Sequence, residues 1–181
     1  VCDTPERGGL CPADCTVLAF LEDFEGAWPG AWLTGDNDGN SGTDTWGRVS
    51  NRSVSTSQSL WCAQNGDNLT GYDDYMQAWA VRAIDLSPWA GSATLTLSLW
   101  IWVHTDGNND WYATTYSADG TTWTALESTT GDTGGWVQKT YDLTAQAGNA
   151  SFVLGLYFES NWIGSLQEGA YVDDIRITAV R

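Results

Sequence analysis

Thr94-Leu95-Thr96-Leu97-Ser98-Leu99-Trp100-Ile101-Trp102-Val103-His104 alternates strictly between two kinds of residue. The odd positions, Leu95, Leu97, Leu99, Ile101 and Val103, form a continuous aliphatic face. The even positions run from Thr96 and Ser98 to Trp100, Trp102 and His104. Successive side chains of a strand point to opposite faces, so the segment reads as one long strand with its leucine face in a core. Its other face is polar at one end and aromatic at the other.

Working outward, the same alternation recurs in short runs separated by Gly, Asp, Asn and Ser clusters. Strands are expected near Val17–Phe24, Trp46–Val49, Ser59–Ala63, Met76–Ile84, Trp111–Ser117, Trp136–Leu143, Ser151–Phe158 and Ala170–Ala179. No amphipathic helix of useful length interrupts them. The pattern is that of an all-β, antiparallel β-sandwich or barrel. In Ser151–Phe158 the core set is Phe152, Leu154, Leu156 and Phe158, which leaves Val153, Gly155 and Tyr157 opposite. With Tyr116 facing the core, Trp111 joins the aromatic face. A sheet apolar on both faces needs a second cover: a sugar chain, the N-terminal arm or another subunit.

The composition narrows the function. The 181 residues carry 7 Lys+Arg against 23 Asp+Glu, a formal net charge of −16, together with 12 Trp. So acidic a chain repels phosphate and does not read as a nucleic-acid binder. No run of about 20 apolar residues is present for a membrane span, and the aromatic content argues against an acidic disordered tail. Much of the acid sits in Asp/Asn/Gly turns. Two of these, Asp36-x-Asp38-x-Asn40 with Asp44, and Asp106-x-Asn108-x-Asp110, also have the alternating oxygen spacing of a calcium loop, without the flanking residues of an EF-hand.

The chain opens Val1-Cys2 with no initiator Met, as expected of a secreted, extracellular protein after removal of a signal peptide. Cys2, Cys11, Cys15 and Cys62 form an even set, which argues for two disulfides with three connectivities. Pairing all four carries one N-terminal cysteine to Cys62 and staples an arm of residues 1–16 to the single domain of residues 17–181. The spacing Cys11-x3-Cys15 also permits zinc. Sequons stand at Asn51, Asn68 and Asn149.

Several motifs occur in order along residues 18–179: Leu21-Glu22-Asp23-Phe24-Glu25-Gly26 with Trp28, Ser57-Gln58-Ser59-Leu60, Ala83-Ile84-Asp85-Leu86-Ser87, Ser117-Ala118-Asp119-Gly120 with Trp123, and Glu168-Gly169-Ala170-Tyr171-Val172-Asp173-Asp174-Ile175. This series resembles the secreted jelly-roll domains of the MAM-like, choice-of-anchor and immune-inhibitor-type families, themselves similar to calcium-containing jelly-roll carbohydrate-binding modules. The resemblance implies a structural Ca²⁺ between the first and last strands, held by Glu25 with Asp23 near and by Asp173, with Asp174 turned the other way. Asp173 shares parity with Ile175 and Ile177, so it is expected to point inward, where an unpaired carboxylate is costly and a metal resolves the cost.

No catalytic constellation emerges. His104 is the single histidine and has no nucleophile-elbow serine to serve. Glu159 borders the aromatic face through its parity with Tyr157, but no acid pair of glycosidase type stands out. The leading expectation is a non-catalytic extracellular structural or adhesive subunit, self-associating into a surface filament through its arm and aromatic face. The alternative is a calcium-stabilised module that binds polysaccharide on a platform of Trp100, Trp102, Trp111 and Tyr157, edged by His104 or Glu159.

Overall fold

The computed structural model describes residues 15–37, 45–64, 71–107, 109–162 and 167–180. Among them eleven strands form two antiparallel sheets. In chain order these are β1 (Thr16–Glu22), β2 (Trp32–Asp36), β3 (Gly47–Val49), β4 (Ser59–Trp61), β5 (Gln77–Ile84), β6 (Thr94–His104), β7 (Trp111–Ser117), β8 (Trp123–Thr129), β9 (Val137–Asp142), β10 (Phe152–Glu159) and β11 (Gly169–Val180). The first sheet has the order β3-β4-β11-β6-β9, with β1 also paired to β11. The second has the order β2-β5-β10-β7-β8.

The strict alternation in β6 is what the core requires. Leu95, Leu97, Leu99, Ile101 and Val103 are all fully buried. They face Phe152, Leu154, Leu156 and Phe158 of β10, which are equally buried, in the manner of two aligned sheets whose inner side chains interdigitate. Trp46, Tyr72, Met76 and Tyr112 complete the core. Among the described residues an ion pair crosses between the sheets: Lys139 of β9 bonds Glu127 of β8, which also accepts from Tyr141 Oη at 2.9 Å.

β2 and β8, the two edges of the second sheet, lie outside the expected strands. Trp32-Leu33-Thr34-Gly35-Asp36 ends in turn-forming residues, and its Leu33 is 67 % exposed. In β8 a bulge opposite Thr114 and Thr115 breaks the alternation, and its first three residues are exposed. Edge strands bury little, so they carry little hydrophobic pattern to read.

The expected staple through Cys62 is not formed. Cys62 is a thiol buried in the core, where its sulfur accepts the Ala170 N–H at 3.2 Å. Two disulfides therefore cannot both form. Cys15 is half of a disulfide, while Cys2 and Cys11 lie outside the described residues, as does the arm up to residue 14. Cys62 was drawn into the pairing by count alone, but cysteine is also among the most readily buried residues. No helix of the described residues is long and apolar enough to cross a membrane.

Candidate functional site

The outer face of the second sheet carries a groove of about 510 Å³, lined by Asn37, Trp79, Val81, Thr115, Trp123, Gly155, Leu156 and Tyr157. Strand register builds it. One row across the sheet reads Gly35, Trp79, Tyr157, Ala113. The next reads Leu33, Val81, Gly155, Thr115. Trp123, opposite Ser117 on β8, reaches back across Thr115 to Gly155 and is 45 % exposed. On β5 the small Ala78 and Ala80 face the core and are fully buried, which turns Trp79 and Val81 outward.

Polar groups stand at the rim. Trp79 donates its indole N–H to Asn37 Oδ1 at 3.1 Å, and Tyr157 Oη donates to Glu159 Oε2 at 2.9 Å. Burial, with Glu159 beside it, holds the Tyr157 phenol well above its ordinary range, so it stays a neutral donor. Trp111 packs on Tyr157 with ring centroids 5.1 Å apart. Among the described residues lining the groove there is no Lys or Arg.

The expected aromatic platform divides between the two outer faces. Trp111 and Tyr157 belong to the groove face. Trp100, Trp102 and His104 lie on β6, in the other sheet. There Trp61, Tyr171 and Trp102 form one row across β4, β11 and β6. Trp61 stacks on Tyr171 with centroids 5.8 Å apart, and Trp136 meets Trp102 edge-on. The Arg52 guanidinium covers the Trp102 ring at 3.4 Å and pairs with Glu168. That cover comes from the chain's own loop, so this face is a packed cation–π arrangement. Trp100 sits half-buried opposite Asp173 and Gln138, and His104 lies opposite Gly169 with a bridge to Asp132.

Asp173 is buried, but not by the route that strand parity implies. A bulge falls between Asp173 and Arg176, and Asp174 takes a left-handed backbone with φ 50°. The bulge shifts the phase, so Ile175 faces the core while Asp173 shares the outer face with Tyr171 and Trp100. Loop residues 54 and 55 then bury it. Asp173 Oδ2 accepts Val54 N–H at 2.7 Å and Ser55 N–H at 2.8 Å, and Oδ1 accepts Asp174 N–H at 2.7 Å. Burial holds its carboxyl above the usual range, and those donors pull it partly back. Asp174 turns out to Arg176 at 3.3 Å.

Glu25 lies close by. It accepts Ser57 Oγ at 2.7 Å, Ser57 N–H at 2.6 Å and Gln58 N–H at 2.8 Å, and these donors hold its carboxyl below the usual range. Between the two carboxylates, Ser55 Oγ has four oxygen neighbours: Asp173 Oδ1 at 3.1 Å, Asp23 O at 3.2 Å, Gln58 O at 3.3 Å and Glu25 Oε1 at 3.4 Å. A hydroxyl donates one proton, so it satisfies only one of these acceptors. Both carboxylates also accept main-chain N–H groups, and carboxylate and main-chain oxygens are the ligand types that a hard cation such as Ca²⁺ takes. The residues therefore fit such an ion. Among the described residues no three His, Cys, Asp or Glu side chains cluster for a metal, and the other oxygens beside Ser55 are the carbonyls of Asp23 and Gln58.

The two loop motifs fall elsewhere. Asp38, Asn40, Asp44 and Asn108 lie outside the described residues, as does the sequon Asn68. Asp110 is buried and bonded to Tyr72 Oη and to Asn161 N–H at 2.7 Å, a structural arrangement. Asn51 donates to Tyr171 Oη and Asn149 to Ala118 O, so both side chains are engaged. Sequence reasoning named Trp123 only within a motif and Gly155 only as a neighbour of Tyr157, and made none of Trp79, Trp123, Gly35 and Gly155 a binding residue. The alternation of Ala78 and Ala80 with Trp79 and Val81 was the signal available.

No family model and no curated protein matches the chain. Solved structures do. The K2 cleaved adhesin domain of Lys-gingipain is 18 % identical with a TM-score of 0.58, over 90 % of this chain and 99 % of that one. The C-terminal family 22 carbohydrate-binding module of Clostridium thermocellum Xyn10B is 13 % identical with a TM-score of 0.56, over 90 % and 94 %. The family 11 carbohydrate-binding module from Clostridium thermocellum, in complex with a β-1,3-1,4-mixed-linked tetrasaccharide, is 15 % identical with a TM-score of 0.52, over 91 % and 95 %. The fold is the jelly-roll β-sandwich seen in carbohydrate-binding modules and adhesin domains.

Proposed function

We propose that the domain is a non-catalytic, extracellular carbohydrate-binding module that holds a neutral polysaccharide in the groove of the second sheet. The observation that carries this reading is the groove itself. It is an apolar channel that exposes Trp and Tyr rings, with amide, carboxylate and phenol groups at its rim. The C–H faces of sugars stack on such rings, and the rim groups hydrogen-bond their hydroxyls. The net charge and the absence of cations from the described lining disfavour uronates and sulfated chains. Among the proteins of this fold, one is titled a xylan-binding domain, and another was solved with β-1,4-galactotriose.

A Ca²⁺ ion belongs to the same proposal as a structural element. Glu25, Asp173, Ser55 and the carbonyls of Asp23 and Gln58 would hold it. The ion would neutralise two carboxylates and tie the segment after β1 to β11. The packing of Trp102 under Arg52 favours this reading over a filament assembled through that aromatic face.

Affinity electrophoresis through soluble xylan, β-1,4-galactan, mixed-linked β-glucan and polygalacturonate tests the binding. Retardation by at least one of the three neutral polymers, with none by polygalacturonate, is the expected result. Unretarded migration in all four would remove the proposal.

A further inference from the structure

Gly35 and Gly155 both stand in strand interiors with ordinary extended backbone, which any residue adopts. Glycine there weakens a strand, through lost conformational entropy and an absent side chain. Local geometry gives no reason for it. The space above each supplies one. A Cβ on Gly35 would meet the Trp79 indole, with Cε2 at 2.6 Å and Cη2 at 3.0 Å. A Cβ on Gly155 would meet Trp123 Cζ3 at 2.6 Å and Thr115 Oγ1 at 2.5 Å. Each indole thus occupies space that the glycine's missing side chain leaves open.

For Trp79 the seat is completed within the same edge segment. Its ring crosses from Gly35, its register partner on β2, to Asn37, which accepts the indole N–H. For Trp123 the ring crosses β7 to reach β10, in the middle of the groove floor. A methyl group at either position would force the ring out of that place.

We propose that Gly35 and Gly155 are positioning residues of the groove. As seats for Trp79 and Trp123 they fix where the two indoles stand in the groove that the ligand enters. This rests on the carbohydrate reading for its consequence, but not for its geometry. Gly35→Ala and Gly155→Ala should each weaken binding roughly tenfold, as expected for a displaced aromatic anchor, and should shift the indole ¹H–¹⁵N signal of the seated tryptophan. In a Trp79→Ala or Trp123→Ala background the corresponding glycine change should cost no further affinity, because the added methyl meets no ring. It should leave thermal stability equal or raised there, which separates a lost seat from a damaged strand.

The probes are the same three neutral polysaccharides, measured by affinity electrophoresis, alongside indole spectra of ligand-free protein. Shifted indole signals together with tenfold weaker retardation support the proposal. Unmoved signals with wild-type retardation overturn it. Shifted signals in the two glycine variants, with a wild-type protein that no polymer retards, would leave the seats standing and remove the carbohydrate reading, so the two failures are distinguishable.

Discussion

Replacing Trp79 or Trp123 with alanine is expected to weaken polysaccharide binding by about 2 kcal/mol each, roughly thirtyfold in Kd. The two rings line one groove on strands of one sheet. Truncating either removes an aromatic face and leaves the hydrogen-bonding rim in place. Because both contact the same ligand, their losses should not add, and the double variant should approach no measurable binding. Thermal stability should change little for Trp123→Ala, since that ring is already 45 % exposed. Trp162, 64 % exposed and outside the groove lining, is the control. Isothermal titration checks the set. Loss of binding in Trp162→Ala with full binding in Trp79→Ala and Trp123→Ala would place the ligand elsewhere.

The calcium proposal carries the other large effect. With free Ca²⁺ at a hundredfold its Kd, a ligand that binds only the folded state contributes about 2.7 kcal/mol, which for a domain this size raises Tm by about 5–10 °C. Differential scanning calorimetry in Ca²⁺ and in EGTA should show that difference. Glu25→Gln and Asp173→Asn should abolish it, each removing a charged oxygen ligand. The same loop that supplies Ser55 and the donors to Asp173 also carries Arg52 over Trp102. Chelation should therefore loosen that cation–π contact and change tryptophan fluorescence. A Tm identical in Ca²⁺ and EGTA would mean that the Ser55 hydroxyl closes the oxygen cluster without an ion.

How much of this was legible in the sequence depends on what each element buries. β6 and β10 are buried between two sheets, so their alternation was complete and their inward faces were read correctly. β2 and β8 are edges, and their sequences carried too little alternation to show. Period-2 parity says which residues of one strand share a face. It does not say which sheet a strand joins, so Trp100 and Trp102 were grouped with Trp111 and Tyr157 although the sandwich separates them. Parity also fails across a bulge, as at Asp173. The backbone break at Asp174 gives no hydrophobic signal, and the cover supplied by Val54 and Ser55 comes from residues more than a hundred positions away. Cys62 shows the same limit: cysteine count implied a bridge, whereas position in the fold made it a core thiol.

The central claim is that the glycan-binding face is the groove of Trp79, Trp123 and Tyr157, and that the aromatic row of the other sheet is internal packing. Titrating ¹⁵N-labelled protein with soluble mixed-linked β-glucan, xylan or β-1,4-galactan oligosaccharides, with indole signals assigned by single Trp→Phe replacements, tests it most directly. The signals of Trp79 and Trp123 should move in a saturable way while those of Trp61, Trp102 and Trp136 stay fixed. Movement of Trp100 and Trp102 with Trp79 and Trp123 unchanged would contradict the account.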